Sequence, residues 1–222
     1  MATIDLAIKD NHLHLDGINL FRGNANIVQL GSAGEKKTPS TQENYLSVDA
    51  NIPVKKLKVN KVTVLTLNGT HISGADVNAS VDVPKVGTLS ASAVAARLKE
   101  NTLKLVKIDV LPRDIVDAAN DSPKVLEALI QCGRGGRIAH QVVTVMEAST
   151  ADTVRRGVSF SIEPGDGGPK LTARAGSTDL ATVEISSGAT FAYLLLKPKW
   201  DANQQKNWKK IDGWEDDQWS LY

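Results

Sequence analysis

The chain has one cysteine, few aromatic residues and no long hydrophobic run. Because Cys132 is the only cysteine among 222 residues, the chain forms no intrachain disulfide and no zinc site built on several thiolates. No window contains the ~20 apolar residues of a membrane-spanning helix. The first residues also lack the basic and apolar regions of a secretory signal. We therefore expect a cytoplasmic protein in a reducing compartment.

The net charge is small, but the charged residues are unevenly distributed along the chain. A formal net charge of +1 suggests neither a nucleic acid nor an acidic ligand as partner. All four tryptophans lie between Trp200 and Trp219, and residues 211–222 contain four acidic residues and no lysine or arginine. We therefore divide the chain into a body, residues 1–200, and an acidic, tryptophan-rich tail, residues 201–222. Such a tail either masks the basic body or is a solvated terminus.

No arrangement of residues is typical of an enzyme active site. The sequence shows no nucleophile with a base, no paired carboxylates and no cofactor motif. The glycine-rich segment 133–137 lacks the spacing of a P-loop. His12 and His14 share one face of a predicted strand, but nothing nearby completes a metal site. We therefore predict a protein without catalytic activity, metal or cofactor.

The hydrophobic pattern predicts many strands and few helices. Short alternating runs fill residues 3–21 and 47–67, while the polar residues 31–44 indicate a mobile loop. Residues 112–132 are the clearest helical region, with Pro123 at a helix start and Gly133 at its end. The predicted fold class is α+β, with a twisted, mainly antiparallel β-sheet, long hairpins and a few short helices.

Two segments have one apolar and one polar face. Apolar and polar residues alternate over residues 76–83, after which residues 93–98 favour a short helix. Alternation returns over residues 158–162 and, after a Gly- and Pro-rich turn, over residues 171–175. Either segment is an ordinary hairpin of a soluble sheet or a region that changes structure.

A cluster of lysines, Lys55, Lys56, Lys58 and Lys61, marks one short stretch. Lysines on an edge strand discourage aggregation, which is one interpretation. The other is contact with anionic lipid headgroups.

Four segments, in order, resemble the N-terminal domain of the gasdermin family. Residues 72–94 are similar to its first membrane hairpin, and residues 109–112 with the helix 123–131 are similar to the segment that separates its two hairpins. Residues 141–148 (Gln-Val-Val-Thr-Val-Met-Glu-Ala) and 183–193 (Val-Glu-Ile-Ser-Ser-Gly-Ala-Thr-Phe-Ala-Tyr) resemble two of its strands.

The resemblance implies a pore-forming effector of cell death. Such a protein rests in the cytoplasm, binds acidic lipids of the cell membrane, oligomerises with itself or with a partner chain, and inserts both hairpins as strands of a transmembrane barrel. A protease would remove the masking tail. The alternative is a non-enzymatic, soluble β-rich interaction or assembly protein.

The expected functional residues fall into three groups. The membrane-inserting residues are Val77, Val81, Val83, Leu89, Phe160, Ile162 and Leu171. The lipid-binding residues are Lys55, Lys56, Lys58, Arg134 and Arg137. The residues of the masking tail are Trp208, Trp214 and Trp219.

Overall fold

The structure is a computed structural model that describes residues 6–9, 11–38, 44–65, 80–84, 86–186 and 188–220. Within these ranges the chain forms fifteen strands and four α-helices. The strands are β1 (Leu6–Ile8), β2 (His12–Leu15), β3 (Ile18–Phe21), β4 (Ser32–Lys37), β5 (Tyr45–Asn51), β6 (Val59–Leu65), β7 (Ser80–Val83), β8 (Gly87–Ser90), β9 (Leu103–Val110), β10 (Gly136–Glu147), β11 (Ser159–Glu163), β12 (Lys170–Ala175), β13 (Thr178–Glu184), β14 (Thr190–Trp200) and β15 (Ile211–Asp217). The helices are α1 (Ala91–Lys99), α2 (Pro112–Asn120), α3 (Pro123–Cys132) and α4 (Ala148–Arg155).

A ten-stranded antiparallel sheet with β10 and β14 at its centre organises the fold. The second half of β10 pairs with β9, which in turn pairs with β6, so β6, β9, β10 and β14 lie side by side. The first half of β10 pairs instead with β4, and β4 continues into β5. The sheet therefore branches along β10. These pairings confirm the predicted α+β class with a mainly antiparallel sheet.

The outer side of β14 carries two further elements. The meander β1–β2–β3 joins the sheet where Phe21 pairs with Tyr193. Its tight turn uses Asp16 and Gly17, both at positive φ, as the Asp-Gly sequence predicts. Strand β15 pairs with the second half of β14. Residues 211–217 of the predicted tail thus form a strand of the sheet.

Two long excursions interrupt the central strands and cover opposite faces of the sheet. Residues 66–102, of which 80–84 and 86–102 are described, connect β6 to β9 and contain β7, β8 and α1. Residues 148–189, described except for 187, connect β10 to β14 and contain α4 and the three-stranded sheet β11–β12–β13. Each face of the sheet carries its own hydrophobic core, because successive side chains of β10 point to opposite faces. Val143 and Val145 belong to the core under the first excursion, and Val142 and Met146 belong to the core under the second.

The predicted helical region is confirmed as two helices. Proline occupies the first helical position of both α2 and α3, where its missing N–H is not needed. Ser122 sits at the start of α3, but its hydroxyl donates back to the carbonyl of Ala118 and does not cap the helix. Gly133 ends α3 at a φ of 61°.

One expectation from the sequence is wrong. Residues 32–37, predicted as part of a mobile loop, form β4 in the interior of the sheet, with Ser32 and Ala33 fully buried. Gly34 lies so close to β5 that a Cβ there would come 1.8 Å from the carbonyl oxygen of Ser47. The second excursion begins with helix α4.

None of the helices in the described part of the chain has both the length and the hydrophobicity that crossing a bilayer would require.

Candidate functional site

The two excursions leave the central sheet at the same edge. Leu65, at the end of β6, pairs with Leu105 of β9, and Leu103 of β9 pairs with Glu147 at the end of β10. Next to them, Thr144 of β10 pairs with Thr190 at the start of β14. Because neighbouring strands are antiparallel, four consecutive strands open on one side of the molecule. We call this side the exit edge.

The first excursion presents its predicted apolar residues on one face. Val81 pairs with Leu89 in the β7–β8 ladder, and Val83 lies two residues further on the same face. Val81 and Val83 are buried, and Leu89 packs half-buried against the same core. Val77 lies outside the described residues.

The second excursion does the same on the opposite side of the sheet. Ile162 pairs with Leu171, which pairs in turn with Val183 across β11, β12 and β13. Leu171 is 0% exposed and Ile162 is 7% exposed, while Phe160 is half-buried at the margin of the same core. In both excursions the predicted apolar face is therefore turned inward onto the sheet.

The excursions meet beyond the exit edge. The backbone N–H of Asp82 in β7 donates to the carbonyl of Gly188 at 3.0 Å. Gly188 has a φ of 98°, and a Cβ there would lie 2.7 Å from the Asp82 carboxylate. Beside this contact a cleft of about 690 Å³ separates β7–β8 from β12–β13. Among the described residues, a second backbone hydrogen bond, from Ala148 to the carbonyl of Thr102 at 2.9 Å, joins the excursions where they leave the sheet.

The predicted lipid-binding residues lie on two short turns and, for Arg137, on strand β10. Lys55 and Lys58 are exposed at and after the short 3₁₀ turn Val54–Lys56, whereas Lys56 donates to the carbonyl of Asp121. Arg134 is exposed on the 3₁₀ turn Gly133–Gly135. Lys55, Lys58 and Arg134 thus present their charge to solvent.

Arg137 is occupied by the tail. Its Nε donates to Asp217, the last residue of β15, and one terminal nitrogen donates to the carbonyls of Arg134 and Gly136. Lys36 of β4 binds the other oxygen of Asp217 at 2.8 Å. The side chains of all three charged residues are 11–15% exposed. The Asp217 carboxylate, which Lys36 and Arg137 share, therefore fastens the end of β15 to β4 and β10.

The three tail tryptophans lie in different surroundings. Trp219 is buried, stacks on His12 with ring centroids 4.3 Å apart, and donates its backbone N–H to Asn19. Trp208 stacks on Trp200 and donates its indole N–H to the carbonyl of Ala202. Trp214 is 38% exposed on β15. Of the three tryptophans, Trp219 is the one whose described contacts reach the N-terminal meander.

Further tail contacts were not apparent in the sequence. Asn120 of α2 both accepts from and donates to the backbone of Ile211, at 2.8 and 2.9 Å. Asn44 donates to the carbonyl of Ser220. The acidic composition of the tail hinted at Asp217, but its partners lie 181 and 80 residues away. No local pattern identifies them.

Cys132 lies in surroundings that disfavour its thiolate form. Burial raises the pKa of its thiol to about 11, helped by a hydrogen bond to Asp49 and by the charges of Asp49 and Glu35. The Sγ atom donates to Asp49 at 3.3 Å. Across the described residues, no three His, Cys, Asp or Glu side chains gather in a group that would hold a metal ion.

Comparison of the chain with protein-family models, with curated proteins and with solved structures gives no match.

Proposed function

We propose that the protein is a membrane pore former, as its resemblance to the gasdermins predicts. The observation that carries the proposal is the exit edge. Four adjacent antiparallel strands are joined in pairs by two excursions that open on one side. If each excursion straightened, its two arms would continue the central strands without any change in their pairing.

The excursions are long enough for this. Each contains about 40 residues, so each arm of a straightened hairpin would have ~20 residues and reach about 65 Å. A strand needs only about 9 to 11 residues to cross a bilayer. The arms would therefore cross it with residues to spare on both sides.

The two-faced pattern fits the same state. In the resting structure Val81, Val83 and Leu171 turn their apolar side chains onto the sheet. In the proposed pore these side chains face lipid, while the alternate polar residues face water. Closure of the strands into a barrel of several copies pairs the backbone groups that an isolated hairpin would leave unsatisfied in lipid.

The position of β15 supports a masking role for the tail. β15 occupies the outer side of β14 from Leu195 to Trp200. That side is the one on which the β6 edge of a neighbouring copy would have to pair. Residues 203–207, between β14 and β15, are exposed, so a protease could cut there without disturbing the core. We propose that such a cut frees the tail.

The proposed resting protein is cytoplasmic, and the activated one binds acidic lipids of the cell membrane through Lys55, Lys58 and Arg134. In the masked state Arg137 is held by Asp217, so its charge becomes available only after the tail leaves. The proposed outcome is permeabilisation and death of the cell.

A disulfide across β12 and β13 tests the proposal. The hydroxyls of Thr172 and Thr182 are 3.1 Å apart on directly paired residues. In a straightened hairpin these two residues would be separated, because Thr172 would lie near the tip and Thr182 along one arm. The variant Thr172→Cys/Thr182→Cys, in a Cys132→Ser background and cut within residues 203–207, should release dye from anionic vesicles only when reduced.

A matched disulfide between Thr63 and Lys107 serves as control, because β6 and β9 remain paired in both states. This variant should leak in oxidised and reduced form alike. No release by any cut protein would contradict pore formation, and equal release by both forms of the 172/182 variant would contradict straightening of the second excursion.

The burial of the apolar faces favours a second candidate, a soluble β-rich assembly protein in which both excursions are fixed. Leu171 at 0% and Val83 at 2% exposure are packed as in an ordinary core. For such a protein, oxidation of the 172/182 pair would leave its partner binding unchanged and vesicles would stay intact.

A further inference from the structure

His140 is a buried imidazole at the branch of the sheet. It lies on β10 between the part that pairs with β4 and the part that pairs with β9, at an irregularity in the pairing with β14. The residue is only 2% exposed. Neither ring nitrogen has a hydrogen-bond partner of normal geometry among the described residues.

The charged groups that face His140 come from two strands. Oδ1 of Asp216, on β15, lies 4.0 Å from Nε2 of the ring. Lys107, on β9, contributes positive charge. Burial lowers the pKa of His140, and Lys107 acts in the same direction. Asp216 and a backbone group of Val110 oppose this, but burial outweighs them.

Protonation of His140 would therefore require water to reach the ring. Among the strands near it, β9, β10 and β14 are paired on both sides, whereas β15 pairs with β14 alone and is otherwise held by side-chain contacts. An edge strand opens at lower free energy than a strand paired on both sides. The Asp216 carboxylate already faces solvent, with its side chain 64% exposed. Opening at β15 is thus the least costly route for water to the ring.

We infer that docking of β15 is coupled to the charge of His140, so that mild acid releases the C-terminal strand. The coupling concerns the docking of the strand itself and holds whether or not the protein inserts into membranes. It places a pH-sensitive group directly beneath the segment that covers β14.

The direction of the pH effect follows from comparing the released and the docked states of β15. With β15 released, His140 is solvated and titrates near the ordinary pKa of 6.5. With β15 docked, the pKa is lower. The stability that docking contributes is therefore fully present above about pH 6.5 and falls as the pH drops from there through the lower, docked-state pKa.

Hydrogen exchange of the full-length chain tests the inference without any membrane. Exchange of the backbone amides of β15 is compared at pH 7.5 and pH 5.0 after correction for the intrinsic chemical rate. The open population should rise in the wild type, by up to ~10-fold for each unit by which docking lowers the pKa. His140→Gln, which cannot be protonated in this range, should abolish the rise.

His12 supplies the matched control, because it also touches the tail. Burial lowers the pKa of His12, with His14, Lys9 and Arg22 adding to the effect, and its ring stacks on Trp219. His12→Gln should retain the acid response of β15. Loss of the response in His12→Gln together with its persistence in His140→Gln would overturn the inference.

Two further results would also overturn it. One is increased protection of β15 in acid, which would mean that protonated His140 tightens its contact with Asp216. The other comes from NMR titration of the ring in the unmodified chain, which remains decisive if His140→Gln fails to fold. A His140 pKa at or above 6.5 contradicts the coupling.

Discussion

Asp217→Asn should loosen the C-terminal strand without changing its shape. The substitution removes the charge that Lys36 and Arg137 share, while an amide of the same size remains. Both cations would stay largely buried, at 15% and 11% exposure. Removing one partner of a fully buried pair costs about 3–5 kcal/mol, and we expect ~2–4 kcal/mol here because the group is partly solvated.

A loss of this size should appear as local opening. The exchange-competent population of β15 should rise by about 30-fold to 1,000-fold, since each ~1.4 kcal/mol is a factor of ten. Hydrogen exchange at neutral pH measures it, with amides of β10 as an internal reference. Asp212→Asn is the matched control, because Asp212 is exposed on the same strand. If both variants open β15 equally, the shared ion pair is not what fastens the tail.

Two further predictions concern the surface and the sheet. Replacing Lys55 and Lys58 with glutamine should weaken binding of the cut protein to anionic vesicles by about 1 kcal/mol per charge, or ~5-fold each, in a flotation assay. Gly34→Ala should reduce folded yield and lower the urea midpoint, because the new Cβ meets the Ser47 carbonyl at 1.8 Å. The cost should reach or exceed the upper end of the ~1–3 kcal/mol typical of overpacking.

Each of these two predictions has a matched control variant in the same chain. Arg113 and Lys124 are also exposed and remain in the cut protein, and if their replacement by glutamine weakens vesicle binding equally, the Lys55–Lys58 cluster is not a specific lipid site. A Cβ at Gly213 would make only ordinary contacts, at 3.7 Å and beyond. Gly213→Ala should therefore leave the urea midpoint nearly unchanged. A Gly34→Ala protein as stable as this control would refute the close approach of β4 and β5.

The sequence predicts those parts of the fold whose signals are local. Pro123 and Gly133 bound a helix because of their own backbone preferences, and strict alternation predicts the pairing of β11 with β12. β4 could not be found in this way. Its polar residues are typical of a loop, and only the fit of Gly34 against β5, together with the buried Ala33, makes it an interior strand.

The candidate site divides in the same manner. The apolar faces of the excursions follow from alternation, so Val81, Ile162 and Leu171 were identifiable. The tail was recognised only as acidic and rich in tryptophan. The contacts of Asp217 with Arg137 and of Asp216 with His140 arise only when the folding of distant strands brings these residues together.

The arrangement of the excursions has a mechanical consequence. Because they cover opposite faces, departure of one leaves the other face still dry: loss of β7 and α1 would wet Val143 and Val145 but not Val142 or Met146. Solvent would then reach the central strands from one face only. Apart from the shared strands, two of the described backbone hydrogen bonds link the excursions, from Ala148 to Thr102 at the sheet and from Asp82 to Gly188 farther out. Departure of one excursion would break the outer bond and so remove a contact that helps to hold the other in place.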